Sequence, residues 1–252
     1  MIQANEFVKR YGDFTAVNGI SFHVPGGTVA ALVGPNGAGK TTTIRTACGI
    51  LRPTSGSFQI AGIDLRSDPV GVKQRVAYVP DDPPLFESLT VWEHLMFIAS
   101  AYRLKDWQSN GEALLTQFEL IAKRQTLASE LSRGMRQKVA IACAYLREPE
   151  VLLLDEPMTG LDPPSIRLLK RSIAQQAARG ATVLISSHLL TLVEDICTHL
   201  VLMRSGDVLF SGMMSEARSQ FGGTSQSLEE VFFRLTADDQ WTPAKSIEAV
   251  DE

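Results

Sequence analysis

Apolar residues along this chain fall into short runs separated by longer amphipathic stretches. Thr28-Val29-Ala30-Ala31-Leu32-Val33 is nearly all apolar and stops at Gly34, as a strand buried on both faces would. Val76–Val79, Val151–Leu154, Ala181–Ser186 and Leu200–Met203 repeat the pattern. Between them, Lys40–Ile50, Val91–Tyr102, Met135–Leu146 and Ser165–Ala178 read as helices. Strand alternating with helix predicts an α/β fold with a mainly parallel sheet. The first segment, Ile2–Val24, differs: short alternating strands flank a Tyr11-Gly12 turn, so an antiparallel β layer is expected in front of the parallel core. From about Glu87 to Gln137 strand signals vanish, which predicts a helical insert. After Asp238 the chain turns acidic and polar around Pro243, and a frayed tail is expected.

Composition narrows the class. A chain of 252 residues suits one large α/β domain or two small ones. With 44% hydrophobic and 21% charged residues it can build a sizeable core, which excludes a mostly disordered chain. The net charge of -4 comes from 24 basic and 28 acidic residues. Asp238, Asp239, Glu248, Asp251 and Glu252 against Lys245 account for all of it, because five minus one is four. The remaining 237 residues are therefore neutral, which argues against a nucleic-acid partner. No apolar run approaches the roughly 18–20 residues that cross a bilayer, and Met1–Glu6 lacks the features of a secretory signal. Cys48, Cys143 and Cys197 are odd in number and widely spaced in apolar surroundings, so buried free thiols in a reducing compartment are expected. A cytosolic chain that does not itself enter a membrane is the expectation.

The strand ending at Val33 runs directly into Gly34-Pro35-Asn36-Gly37-Ala38-Gly39-Lys40-Thr41, with Thr42 next, which fits G-x-x-x-x-G-K-[ST]. Glycines let the backbone curl so that successive N–H groups converge on phosphate oxygens. A helix opening near Lys40 adds its positive dipole end. Lys40 would reach the β- and γ-phosphates, and the Thr41 hydroxyl would ligate Mg²⁺. A phosphate-binding loop for a nucleotide is the reading.

A second pattern, Val151-Leu152-Leu153-Leu154-Asp155-Glu156, places two carboxylates at the end of a buried strand. They would lie at the C-terminal edge of the sheet, beside the loop. Asp155 would hold Mg²⁺ through water, and Glu156 could polarise the attacking water as a general base.

Three further segments carry a family resemblance. Leu131-Ser132-Arg133-Gly134-Met135 precedes the carboxylates, Gly160-Leu161-Asp162-Pro163 follows them, and Ser186-Ser187-His188 ends the next strand. In this order, with the phosphate loop and the Asp155-Glu156 pair, they resemble the ATP-binding-cassette (ABC) ATPases over roughly residues 2–222. The resemblance implies a P-loop NTPase domain over 1–222, with a C-terminal helix and acidic tail over 223–252. It implies that Tyr11 stacks on adenine and that Ser132 and Gly134 bind the γ-phosphate of a nucleotide held by a second ABC subunit. Asp162 would join the two sites, and His188 would contact the γ-phosphate and the catalytic water. ATP and Mg²⁺ are the implied ligands. A polytopic membrane permease is the implied partner, served from the cytoplasmic side of the membrane as a peripheral subunit.

Two positions depart from the pattern. Arg133 and Met135 stand in Ser132-Arg133-Gly134-Met135 where Gly and Gln are usual, a variant similar to ABC-2-type exporters. Asp81, after Val79-Pro80, stands where a Gln usually contacts Mg²⁺ or water. Asp81 is either a metal ligand or, with Asp82, a turn residue before Pro83-Pro84. In the family the surface near Leu85–Leu95 cradles a coupling helix of the membrane subunit. Trp92, Leu95, Met96 and Phe97 nevertheless read mostly as core residues of the insert. Ser227–Thr236 resembles the closing helix of exporter ATPases. The competing expectation is a soluble assembly ATPase of the iron–sulfur type. A small-molecule kinase has no use for Ser132-Arg133-Gly134 or for His188.

Overall fold

A computed structural model describes residues 1–188, 191 and 193–221. The Ser227–Thr236 helix and the acidic tail lie outside the described residues. Strands β1 (Ile2–Tyr11), β2 (Phe14–Val24), β4 (Ser55–Ile60) and β5 (Ile63–Asp64) make an antiparallel sheet in the order β2-β1-β4-β5. The second sheet runs β10-β9-β3-β8-β7-β6. Its strands are β3 (Val29–Val33), β6 (Val76–Val79), β7 (Val151–Asp155), β8 (Thr182–Ser187), β9 (His199–Arg204) and β10 (Asp207–Met213). The first five are parallel, and β10 pairs antiparallel at the edge. The expected parallel core and antiparallel front layer are both present.

Every residue of β3 and β7 is buried, because each strand feeds two cores. Val29, Ala31, Val33, Leu152 and Leu154 face helices α3 (Val91–Ala101), α4 (Gln108–Gln117), α5 (Arg133–Tyr145) and α6 (Pro163–Ala178). Ala30, Leu32, Val151 and Leu153 face the antiparallel sheet, with α1 (Lys40–Ala47) and α2 (Pro69–Arg75) wedged alongside. A two-residue period sends alternate side chains to opposite faces, and both faces here are covered. The insert contains α3, α4, two single turns of 3₁₀ helix (Ile121–Lys123 and Ala128–Glu130) and the start of α5. Helix α7 (Met214–Phe221) closes the described chain. Among the described residues no helix is long and apolar enough to cross a membrane.

Several element ends move from expectation. α1 stops at Ala47 instead of Ile50, since Gly49 takes φ 72° and turns the chain. α6 starts two residues early, at Pro163, because Asp162 accepts from Ser165 N at 2.9 Å as the N-cap and proline is tolerated in the first turn. Strand β10 was not anticipated. Ser205 and Gly206, at φ 49° and 88°, form the tight turn that folds it back on β9.

Candidate nucleotide site

Strands β3, β8 and β7 lie side by side, so the loops leaving their C-terminal ends meet although more than a hundred residues separate the first from the others. In register, Leu32 pairs with Ser186 and Ser186 with Asp155. A cavity of about 380 Å³ opens there, lined by Tyr11, Phe14, Ala16, Asn36–Thr42, Asp81, Asp155 and Glu156. A larger depression of about 560 Å³ lies elsewhere, around Arg52, Arg66 and Lys73, and contains none of these carboxylates. Size alone does not locate the chemistry.

The loop's glycines are required by close approach. A Cβ at Gly34 would overlap Met203 O, and one at Gly39, where φ is 100°, would lie 2.8 Å from Ala16 O. The curl leaves Lys40, 6% exposed, with its ammonium donating to Gly34 O at 2.7 Å and Pro35 O at 3.1 Å. Glu156 Oε1 lies 3.7 Å from the same nitrogen. Burial pushes the Lys40 pKa down, and the Glu156 and Asp155 carboxylates oppose that push.

Asp155 is buried and held from three sides. Ser186 Oγ donates to its Oδ1 at 2.6 Å, Thr41 Oγ1 to the same oxygen at 3.2 Å, and Tyr78 OH to Oδ2 at 3.5 Å. Ser186 Oγ also accepts from Glu156 N at 2.9 Å. Glu156 takes φ 49°, a left-handed turn that re-aims its carboxylate immediately after the strand. Its Oε2 lies 2.9 Å from His188 Nδ1, so the carboxylate sits between Lys40 and His188. Thr41 and Asp155 give a hard-oxygen pair of the type Mg²⁺ takes, and no group of three His, Cys, Asp or Glu side chains forms a cage among the described residues. Such a donor set fits a metal that arrives with phosphate oxygens.

A family model described as ABC transporter matches residues 17–159. The ABC-type transporter ATP-binding protein EcsA of Bacillus subtilis is 34% identical over 241 residues, covering 95% of this chain and 98% of that protein. The chain belongs to the ABC transporter ATP-binding family. Nod factor export ATP-binding protein I of Burkholderia pseudomallei is 36% identical over 213 residues, covering 84% of this chain and 70% of that one. A solved structure of the ATP-binding subunit of an ABC transporter superposes with a TM-score of 0.88 at 35% identity, covering 93% of this chain and 99% of that one. As a member of this family, the cassette is an ATP-binding domain.

Within the cassette, the structure assembles Tyr11, the phosphate loop, Asp155, Glu156 and His188 in one place. Ser132, Gly134 and Asp162 are absent from that cavity wall. Ser132 caps α5, accepting from Met135 N at 3.3 Å, and Asp162 caps α6. The two turns adjoin, since a Cβ at Gly134 would lie 3.3 Å from Leu161 Cδ2. Asp81 does reach the cavity wall, but its Oδ1 accepts from Arg133 Nη2 at 3.0 Å.

Three contributors escaped the sequence reading. Phe14, 65% exposed, stands opposite Tyr11 across the β1–β2 turn and lines the cavity beside it. Ser186 and Tyr78 hold Asp155. An aromatic three residues after Tyr11 was the available signal for Phe14; Ser186 stands in the segment that ends at His188, but nothing local marks its hold on Asp155 or that of Tyr78. Met96 and Phe97, expected mostly in the core, are 49% and 47% exposed.

Proposed function

We propose that this chain is the ATP-hydrolysing subunit of a membrane exporter and works as one of two paired cassettes. The observation that carries the reading is the Glu156 carboxylate, held between Lys40 and His188 beside a phosphate loop and the Thr41–Asp155 oxygen pair. Tyr11 and Phe14 offer aromatic faces to the base, and the loop N–H groups with Lys40 hold the phosphates. Thr41 and Asp155 would hold Mg²⁺, which would neutralise charge on the phosphate oxygens. Asp81 already has the Arg133 guanidinium as its partner and is left out of that donor pair. Glu156 takes the proton of the attacking water as its oxygen bonds to the γ-phosphorus and the bond to the β–γ bridging oxygen breaks. Lys40 and His188 bear the developing charge.

Ser132 and Gly134 stand off the cavity wall, at the N-terminus of a thirteen-residue helix suited to an anion. Head-to-tail pairing would bring them to the γ-phosphate held by a second, identical or different, cassette, with Asp162 at the junction. Binding would close the pair and hydrolysis would release it. The apolar groove lined by Pro83, Leu85, Phe86, Phe97 and Tyr102 suits a helix of a membrane permease, which supports reading the chain as a peripheral subunit on the cytoplasmic side. The names of the Nod factor relative and of a probable multidrug relative in Escherichia coli favour export. A soluble assembly ATPase is less well supported, because these relatives are named as export or transporter ATP-binding proteins.

Glu156→Gln tests the reading. The variant should bind ATP and elute as a dimer with it, while hydrolysing about 10²–10⁴-fold more slowly, the usual range for a lost general base. Unchanged turnover would remove Glu156 from that role.

A further inference from the structure

The two departures from the family pattern face one another. Arg133 Nη2 donates to Asp81 Oδ1 at 3.0 Å, so the acid and the base that replace uncharged residues form a pair. Arg133 is the first residue of α5, directly after the Ser132 cap. Its stem lies along the loop beyond Glu156: a Cβ at Gly160 would be 3.6 Å from Arg133 Cδ and Nε. Arg136, on the same face three residues on, grips Glu87 with Nη2 at 2.7 Å and Nη1 at 3.0 Å. Its Nη1 also donates to Ala128 O at 3.0 Å.

Asp81 and Glu87 bracket the segment that supplies Pro83, Pro84, Leu85 and Phe86 to the apolar groove. Both ends of that segment are therefore tied to the first turn of α5, and one of them is on the wall of the nucleotide cavity. Two consecutive prolines stiffen the stretch between the ties. An exposed ion pair contributes little by itself, and the Arg133 and Asp81 side chains are 54% and 47% exposed. Two such pairs on one face of one turn do more, because a segment held at both ends cannot pivot about either.

We propose that Arg133 is a positioning residue. Through Asp81 it locks the 81–87 segment to the Ser132–Gly134 turn, so that movement of this turn on nucleotide binding is carried to the groove. The inference rests on the nucleotide-driven reading above.

Charge exchange tests it on the full chain. Arg133→Asp leaves an acid in the first turn of α5, where the helix dipole favours it, and Asp81→Arg changes a partly exposed side chain, so both variants should fold. Each alone should lower kcat for ATP by about fivefold, the upper end for one exposed ion pair, with KM little changed. Each should also abolish the MgATP-induced change in amide hydrogen exchange over residues 82–90. The double exchange should restore both readouts. A double variant no better than the worse single variant overturns the proposal, as do single variants that behave like wild type. Loss of nucleotide binding in every variant with Arg at 81 would instead make Asp81 a direct metal or phosphate contact. If wild type shows neither ATP turnover nor a nucleotide-dependent exchange change, the proposed function fails with it. A responsive wild type with an unrescued double variant sinks the inference alone.

Discussion

At Lys40, burial and function pull in opposite directions. The ammonium is held by two carbonyls and faces Glu156, yet desolvation still lowers its pKa. Lys40→Met removes the buried charge and, with it, the phosphate contact proposed for Lys40. Its ATP affinity should fall tenfold or more, as for a lost charged hydrogen bond, while its melting temperature without nucleotide should not drop. The pH dependence has a definite sign. Between the lowered native pKa and the ordinary lysine value of 10.5, the unfolded chain holds the proton more tightly. Wild-type stability should therefore rise with pH across that window relative to Lys40→Met, as denaturant melts would show. Lys40, Thr41, Asp155 and Glu156 were all legible from local motifs. The left-handed turn at Glu156 and the hold of Ser186 on Asp155 were not, because both depend on a neighbouring strand.

At the scale of elements, α3 shows how local chemistry sets a boundary. Thr90 Oγ1 accepts from Glu93 N, and Glu93 Oε2 accepts from Thr90 N, a reciprocal cap that starts the helix where the sequence reading placed it. His94 then ties the groove to the helix, with Nδ1 at 2.8 Å from Thr90 O and Nε2 accepting from Phe86 N at 3.0 Å. Thr90→Ala should cost about 1 kcal/mol, lowering the melting temperature by roughly 2–4 °C for a chain of this size. A shift in calorimetry near zero would deny the cap that weight. Helix α4 falls within the expected helical insert, but its own bounds were not legible because Gly111 interrupts its pattern. In the fold Gly111 lies under Trp107, where a Cβ would be 3.1 Å from the ring, so tight packing outweighs poor helix propensity. The short helix α2 was hidden similarly by Pro69 and Gly71, and is stabilised by Asp68 accepting from Gly71 N at 2.8 Å.

For the whole molecule, the exposed aromatic side chains beside the groove matter most. Phe86, Phe97 and Tyr102 are 52%, 47% and 41% exposed, a cluster that a lone soluble domain gains little from presenting. Phe97→Asp should weaken co-purification with the proposed membrane permease at an unchanged melting temperature; full retention of the permease would exclude Phe97 from the contact. The α/β alternation, the antiparallel front layer, the phosphate loop and the paired carboxylates are all legible in the sequence. Those features reside in short contiguous runs whose periodicity and residue types are local properties. The packing of the sheet puts β8 between β3 and β7, which brings Ser186 to Asp155 and His188 to Glu156. Tertiary packing also decided that Asp81 spends its carboxylate on Arg133, and that Met96 and Phe97 face outward. Strand order, long-range pairing and helix rotation are set by how two cores close around one sheet, and no single run of residues encodes that.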